Sequence, residues 1–587
     1  MVSRAAVVVV ARSSLPLART IADHLDGEVM EGAASLVDAF RAGRPVIAVC
    51  AAGIVIRKLA PHLGSKVEDP PVIAVAENGS FAVPLLGGHH GANALDRTIA
   101  DLVGGTAAIT TASDARFGIA LDDPPPGWSL ANPENHKSFA AALLDGTRVC
   151  LLGEAPWLAS LPQDSRGPLA IRVTEAIATG SDKELVYVPH TLALGVGCER
   201  GTPPEELSGL VTATLAAHNL STAAVAGVFS LDLKADEPAV AALGRALDVP
   251  VRFFSTDRLR AESPRLQNPS EIVLREVGIA GVAEAAALAA AGPQATLVIA
   301  KTRSPRATLA VARSPAPLVE LPGRARGRLS VVSLGPGSIA WRSPAAVAAL
   351  LRATDWIGYG LYLDLAADLA GGQAQHRYPL GAEADRVRHA IALAGEGHDV
   401  ALVCSGDAAI YGMASLASEM LDPASSIAVD PAWRRIELDV VPGISAFQAA
   451  SAAAGALIGH DFCCISLSDL MTPWSAIESR VRAAAEGDFV TALYNPRSLR
   501  RRDQLDRAIA IFREQRPAST PVVTAANLGR SGERVIVAPL GELDPDGVDM
   551  LTIVIVGSRQ SRIYRRGDGR FIAYTPRGYG TGREEQA

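Results

Sequence analysis

Short apolar runs, each broken by glycine, proline or serine and followed by an alanine-rich stretch, recur from one end of the chain to the other. Ala5–Val10, Pro45–Val49, Val72–Val75, Arg148–Leu152, Thr191–Val196, Val251–Phe254 and Thr296–Ile299 form one series of β-branched or apolar runs. Leu329–Leu334, Val400–Cys404, Ile436–Val441, Phe462–Leu467, Phe489–Leu493, Pro521–Ala525 and Met550–Val556 form a second. Strands that alternate with helices imply α/β layering, so an α/β fold class is expected throughout. At 587 residues with 49% hydrophobic side chains, the chain has room for about four compact units, and bulk disorder is excluded.

The two series are separated by Arg313–Arg328, where prolines, glycines and arginines interrupt any periodicity. This is the expected linker between halves. Weaker boundaries fall at Asp122–Gly127 and before Pro189. The expected domains are therefore 1–121, 122–188, 189–312, a linker at 313–328, a unit at 329–566 and a flexible tail at 567–587. The net charge of -7 argues against a general nucleic-acid or anionic-membrane surface, and the 5% aromatic content against a base-stacking platform. The six cysteines have no CxxC or finger spacing, which suits a reducing compartment, and no run supplies about 18 uninterrupted apolar residues. A soluble cytoplasmic protein without nucleic-acid or membrane partners is expected.

In the second half, Leu329–Leu334 runs into Gly335-Pro336-Gly337-Ser338. Glycines directly after a strand let backbone N–H groups approach a ligand closely. The segment also fits G-x-G-x-x-A through Ala340, with Asp355 in place for a dinucleotide ribose. Two details weigh against that reading. The helix start signal, Ser343-Pro344, comes several residues too late, and Asp355 precedes apolar Trp356-Ile357-Gly358 instead of ending a strand.

Further turns follow at Ser405-Gly406-Asp407-Ala408-Ala409-Ile410-Tyr411-Gly412, Pro442-Gly443-Ile444-Ser445-Ala446, Tyr494-Asn495-Pro496-Arg497 and Asn527-Leu528-Gly529-Arg530. Together with the first glycine turn and Gly358-Tyr359-Gly360-Leu361, they resemble in order the motifs of the tetrapyrrole (class III) S-adenosylmethionine methyltransferases. Within that group the resemblance is to the precorrin-3B and cobalt-factor-III C17-methyltransferases of cobalamin synthesis, over about residues 328–565. Ala409 departs from the pattern, standing where a second glycine is common.

The resemblance implies two α/β lobes, about 329–443 and 444–566, with S-adenosylmethionine (product S-adenosylhomocysteine) between them and a tetrapyrrole alongside. It assigns cofactor contact to Gly335, Pro336, Gly337, Ser405, Gly406, Asp407, Ile410, Ser445, Ala446, Tyr494, Asn495, Asn527 and Leu528. Asp407 and Ser445 read equally as plain helix caps. Methyl transfer from a sulfonium needs positioning more than acid–base help. The ring contraction that the family couples to it needs a proton donor or acceptor, for which His460, Asp461, Ser468, Asp469 and Tyr362 are candidates. Arg497, Arg500, Arg501 and Arg502 offer forks for substrate carboxylates, or simply a solvated helix start. A homodimer formed through this half is expected. Whether the substrate carries cobalt stays open, as does the oxygen dependence of the route.

In the first half two groups of segments stand out. One comprises Ala51–Pro61, Lys66–Val72, Glu77-Asn78-Gly79 and Leu85-Leu86-Gly87-Gly88-His89-His90-Gly91. The other comprises Gly195-Val196-Gly197-Cys198-Glu199-Arg200-Gly201, Thr202–Glu206, Pro269–Glu271, Glu276–Gly278, Val282–Ala286 and Lys301. They resemble the N- and C-terminal domains of the CbiG family, the cobalt-precorrin-5A hydrolases, over nearly all of residues 1–312. These open a lactone and release acetaldehyde.

Thr202-Pro203-Pro204-Glu205 reads as a capping box, which makes Gly195–Gly201 a strand-to-helix loop whose amides face an anion. His89 or His90 could act as general base or carboxylate partner. Adjacent histidines do not face one metal, and no protein-bound metal is expected. Glu199, Arg200, Glu271 and Lys301 are further polar candidates. The reading is a bifunctional enzyme that works beside other cobalamin-pathway enzymes. Its rivals are a methyltransferase with a noncatalytic tetrapyrrole-binding N-terminal module, and a methyltransferase acting on a protein side chain.

Overall fold

The chain divides into two compact units, Met1–Arg326 and Gly327–Ala587, in a computed structural model that describes residues 5–65, 69–110, 116–498 and 501–577. Among the described residues the first unit holds three sheets. In the first of them the strands run in the order Glu28–Glu31, Ala6–Val9, Val46–Val49, Val72–Val75, Phe81–Leu86 and Thr106–Ala107. Its first four strands are parallel. Val7, Ile47 and Ile73 pack with Ile21 and Ile99 on one face, while Val8, Ala48 and Val72 pack with Leu36, Phe40 and Val55 on the other. Helices on both faces are why these strands read as unbroken apolar runs.

The second sheet orders Trp128–Leu130, Glu184–Pro189, Leu169–Val173 and Val149–Leu152 around Phe139, Leu143 and Tyr187. The buried Tyr187 hydroxyl donates to the Leu121 carbonyl, and Trp157 meets the Tyr187 ring edge-on at 5.0 Å. Leu121 and Phe117 belong to this core, so the domain starts before residue 122. The proline run 124–126 is a turn inside it, closed by the Trp128 amide on the Pro125 carbonyl.

The third sheet orders Val251–Phe254, Val225–Leu231, Leu192–Cys198, Ala307–Arg313 and Thr296–Arg303. Its central strand does not end at Val196. Antiparallel pairing continues to Cys198 opposite Ala307, so Gly195 lies inside a strand and not in the expected loop. The reason is packing. The helix Val282–Ala291 is nearly all alanine and almost wholly buried against this sheet. A Cβ on Gly195 would stand 1.9 Å from the Ala283 carbonyl oxygen and 2.9 Å from the Ala287 Cβ.

Past Arg313 the expected linker is laid onto the same unit. Ser314 N bonds Thr191 O at 2.9 Å, Leu318 N bonds His190 O at 2.9 Å, and Phe253 and Arg324 exchange backbone bonds of 2.8 and 2.9 Å.

The second unit opens with a fully parallel sheet in the order Ala374–Tyr378, Asp355–Tyr359, Asp399–Cys404, Arg328–Ser333 and Glu437–Val441. A mixed sheet follows, ordered Phe462–Ser466, Val490–Tyr494, Thr552–Val556, Pro521–Ala526 and Arg534–Pro539. The tail expected to be loose from Gly567 instead forms the strand Phe571–Tyr574, paired with Arg562–Arg565 and Gly455–Ala456. Ala573 is buried and the Thr575 hydroxyl donates to the Leu457 carbonyl at 2.5 Å, contacts that a loose tail would forgo. Residues 578–587 of that tail lie outside the described residues. Among the described residues no helix is long and apolar enough to cross a membrane.

Two consequences are measurable. Gly195→Val forces a branched side chain into helix backbone and should destabilise the first unit by about 3 kcal/mol, read as a lowered melting temperature with the second unit's transition unmoved. Asp96, at the start of the helix Asn93–Val103, is fully buried with both carboxylate oxygens unpartnered among the described residues, and burial raises its pKa from 3.8 to about 6. A pKa raised on folding means that ionisation penalises the fold: the penalty is absent below about pH 4 and complete above about pH 6. Asp96→Asn should therefore stabilise the chain by about 3 kcal/mol at pH 8 and leave it unchanged near pH 3.5, as measured by parallel denaturant titrations.

Candidate functional site

At the C-terminal end of the parallel sheet of the second unit, the turn after Arg328–Ser333 meets the turn after its neighbour Asp399–Cys404. Gly335 and Gly406, both at positive φ (76° and 67°), exchange backbone hydrogen bonds of 3.1 and 2.8 Å. Asp407 knits in a third turn: its carboxylate accepts from the Ala409 amide at 2.8 Å and from the Gly443 amide at 3.1 Å. The mixed sheet contributes the strand ends Tyr494-Asn495 and Ala525–Leu528, with Met550–Ile553 leading into Thr552–Val556. Ligands in open α/β sheets sit beyond such carboxyl ends.

Here the turns line an open cleft of about 220 Å³. Of the residues expected to contact a cofactor, Pro336, Ser405, Gly406, Asp407, Ile410, Ala446, Tyr494, Asn495, Asn527 and Leu528 all line it. Gly335, Gly337 and Ser445 do not. Gly335 is spent on the bridge to Gly406. Gly337 provides clearance, since a Cβ there would stand 2.4 Å from the Arg530 Cγ and 2.6 Å from the Leu528 carbonyl. Ser445 is buried and caps the helix Ala446–Ala454 through a capping box with Gln448, whose Oε1 accepts from the Ser445 amide at 3.0 Å and hydroxyl at 2.9 Å. Its hydroxyl thus serves the helix, and contact with a ligand passes to Ala446.

Tyr362, Tyr411, Arg530 and Met550 are among the lining residues that were absent from the expected cofactor set or were expected elsewhere. Tyr362, an acid–base candidate, lines the cleft. Burial raises its pKa, and the guanidinium of Arg530 opposes that rise. Tyr411 sits at φ 52°, a costly conformation for a bulky side chain, and is held there by its hydroxyl on the Cys464 carbonyl at 2.8 Å and its ring 5.3 Å from Tyr494. Burial pushes Tyr494 up to about 12. Arg530 crosses from one lobe to the other, donating from Nε to the Pro336 carbonyl and from Nη2 to the Ser405 hydroxyl, each at 2.8 Å. Met550 forms part of the floor. The Asn527-Leu528-Gly529-Arg530 turn was legible as a motif. Nothing local said that its arginine folds back into the cleft.

A second cavity of about 460 Å³ shares Met550 and Leu551 with the first and is lined by Arg497, Ser498 and Arg502 with Asp546, Val548 and Asp549. Arg497 donates to the Pro545 carbonyl and pairs with Asp546 at 2.9 Å. Arg501 is buried, with Nη2 3.8 Å from the Met550 sulfur and Nη1 unpartnered, and burial lowers its pKa. Arg500 lies outside the described residues. His460, Asp461, Ser468 and Asp469 line neither cavity. His460 is exposed 3.6 Å from Asp461, and Asp469 accepts from Gln504 at 2.8 Å.

In the first unit the expected anion loop is closed by the protein's own groups. Gly201 donates its amide to Glu237 at 3.1 Å, and Arg200 pairs with both Glu237 (2.9 Å) and Asp236 (2.7 Å). No capping box forms before Pro204–Ala217. The Thr202 hydroxyl turns to the Glu199 and Arg306 carbonyls at 2.9 and 3.3 Å, while Glu206 accepts from Ser304 Oγ and Arg306 N at 2.5 and 2.8 Å. The hairpin turn Ser304–Arg306, through the Arg306 carbonyl, competes for the Thr202 hydroxyl that the box would have used. Glu199 stands exposed 3.5 Å from Arg306, and Glu271 is exposed 3.6 Å from Arg275. The Lys301 ammonium donates to the Asn268 carbonyl at 3.3 Å. His89 and His90 fall in the π-turn Gly88–Ala92, and their side chains lie outside the described residues. Among the described residues no group of three or more metal-ligating side chains is placed to hold a metal.

Comparison with known proteins divides the chain in the same way. The family model "Cobalamin synthesis G N-terminal" matches residues 34–114, "Cobalamin synthesis G C-terminus" residues 192–312, and "Tetrapyrrole (Corrin/Porphyrin) Methylases" residues 328–544. The chain is 41% identical over 253 residues to the precorrin-3B C(17)-methyltransferase of a Sinorhizobium species, covering 43% of this chain and 97% of that protein. It is 42% identical over 251 residues to a probable cobalt-factor III C(17)-methyltransferase of Salmonella typhimurium, covering 43% and 99%. Among solved structures, CobE, a protein from the cobalamin (vitamin B12) biosynthetic pathway, is 42% identical over 22% of this chain and 92% of its own, with a TM-score of 0.21.

Glu284 gives this region its test. Its buried carboxylate accepts from Gln267 N (2.8 Å), Asn268 N (3.0 Å), Asn268 Nδ2 (2.9 Å) and Lys301 N (2.9 Å). Burial would raise its pKa, but these donors together outweigh burial and hold it below the ordinary value. The resulting stability is present above the unfolded pKa and is lost as pH falls through the folded one. Glu284→Gln should cost about 2 kcal/mol at pH 7, with the difference from wild type shrinking as the pH drops below 4.

Proposed function

The chain belongs to the precorrin-3B C(17)-methyltransferase family of cobalamin-synthesis methyltransferases, fused to cobalamin synthesis G domains, and on that premise we propose that it methylates C17 of precorrin-3B or cobalt-factor III, using S-adenosylmethionine, and contracts the ring. The observation that carries the reading is the convergence of separate strand-end turns on one cleft whose wall, Met550-Leu551, is shared with a second, arginine-bearing cavity. The cleft fits the donor chemically. Ile410, Ala446 and Leu528 offer apolar flanks for a flat base, Ser405, Asn495 and Asn527 offer hydrogen bonds, and the Tyr411 and Tyr494 rings suit a sulfonium. Displacement at the sulfonium releases a neutral thioether, so these residues act chiefly by holding donor and acceptor carbon in line. Arg497 and Arg502 favour a carboxylate-bearing macrocycle over a protein side chain as acceptor. Tyr362, at the cleft, is the better placed proton donor for contraction; His460 and Asp469 do not line it.

The N-terminal unit is proposed to open the lactone of (cobalt-)precorrin-5A and release acetaldehyde, a reading supported by its two cobalamin synthesis G matches. The second reading is a noncatalytic tetrapyrrole-binding module. It is favoured by one observation: Glu199, Arg200 and Lys301 are all engaged by neighbouring groups. The protein is proposed to work in the cytoplasm as a homodimer beside other enzymes of the pathway.

Mass spectrometry of precorrin-3B, metal-free and cobalt-bound, incubated with the full chain and S-adenosylmethionine should register one added methyl group on one of the two. An unaltered mass on both, under conditions where the donor binds, would refute the methyl-transfer reading. Aldehyde is scored separately on the lactone substrate: release supports hydrolysis, and binding without release supports the module.

A further inference from the structure

Arg530 brings a fixed positive charge into the cleft. It sits midway along the turn between Pro521–Ala526 and Arg534–Pro539, and its guanidinium is anchored at two points, Nε on the Pro336 carbonyl and Nη2 on the Ser405 hydroxyl. Both acceptors are neutral, so neither offsets the charge. Among the described residues no carboxylate forms an ion pair with it; burial lowers its pKa, and Tyr362 opposes that fall. The stem is seated against Gly337, where a Cβ would come within 2.4 Å of the arginine Cγ and 3.0 Å of its Nε, so the slot exists only because that position lacks a side chain. Two anchors and a glycine-cut slot hold the fork rigidly, with Nη1 left for a ligand. The Asp407 carboxylate that also lines the cleft is engaged by the Ala409 and Gly443 amides, so a cation beside a bound sulfonium calls for an anion that arrives with the ligands.

We propose that Arg530 is the carboxylate receptor of the cleft and positions a ligand through a charge-assisted hydrogen bond from the free edge of its guanidinium. The inference rests on the methyl-transfer reading above. Two ligand carboxylates share this chemistry: the amino-acid end of the donor and an acid arm of the macrocycle.

The test compares the full-length wild type with Arg530→Gln and Arg530→Lys. Calorimetry uses S-adenosylhomocysteine and 5′-methylthioadenosine, which keeps the adenosine and thioether but lacks the carboxylate; steady-state assays give KM for the tetrapyrrole. If the donor end is the partner, Arg530→Gln weakens S-adenosylhomocysteine by about tenfold or more and methylthioadenosine by less than about twofold. If the macrocycle arm is the partner, both adenosine ligands bind as in wild type and KM rises by about tenfold with kcat less affected. In either case Arg530→Lys, which retains charge without the fork, recovers part of the loss. It also carries the comparison should Arg530→Gln melt early. Equal loss of both adenosine ligands, or no change in any of the three, overturns the proposal. Failure of the wild type to bind S-adenosylhomocysteine would instead remove the donor site itself.

Discussion

The cleft of the second unit depends on one short piece of backbone pairing. Gly335 and Gly406 exchange hydrogen bonds across the ends of adjacent parallel strands, and both occupy the left-handed region that a side chain would make costly. That pairing fixes the separation of the two turns, Asp407 ties in the third through Gly443, and Arg530 then reaches from the opposite lobe to Pro336 and Ser405. Most of the polar residues around the cleft are therefore engaged with backbone before any ligand arrives. This preorganisation suits a reaction whose rate comes from alignment and not from proton transfer.

The first unit shows a different use of small residues. Gly195 and the alanines of Val282–Ala291 bring a helix onto a sheet at close range, and Glu284 then fastens the loop 267–268 and the strand residue Lys301 to that helix. Glu237 and Glu206 are spent on closing loops over the ends of the central strands. A loop that seemed designed for an external anion holds an internal one.

Much of this was legible from sequence because it was periodic. Apolar runs such as Val72–Val75 and Val400–Cys404 announced buried parallel strands, and the glycine turns after them announced the cleft. What failed to be legible was non-local. The end of Leu192–Cys198 is set by its partner Ala307–Arg313, more than a hundred residues away, and the capping box at Thr202 lost its hydroxyl to the Glu199 and Arg306 carbonyls. Ser445 looked the same as ligand contact or as cap, and only its burial decided. Arg530 is a further case: its motif was visible, but its side chain's destination depends on the absence of a Cβ at Gly337.

A co-crystal structure of the full chain with S-adenosylhomocysteine tests the central claim most directly. The account predicts the ligand between the two lobes, in contact with the turn Ser405–Ile410 on one side and Asn495 and Leu528 on the other, its sulfur facing the wall shared with the arginine-bearing cavity. Ligand density elsewhere, or a cleft filled by the protein's own side chains at saturating ligand, would contradict it.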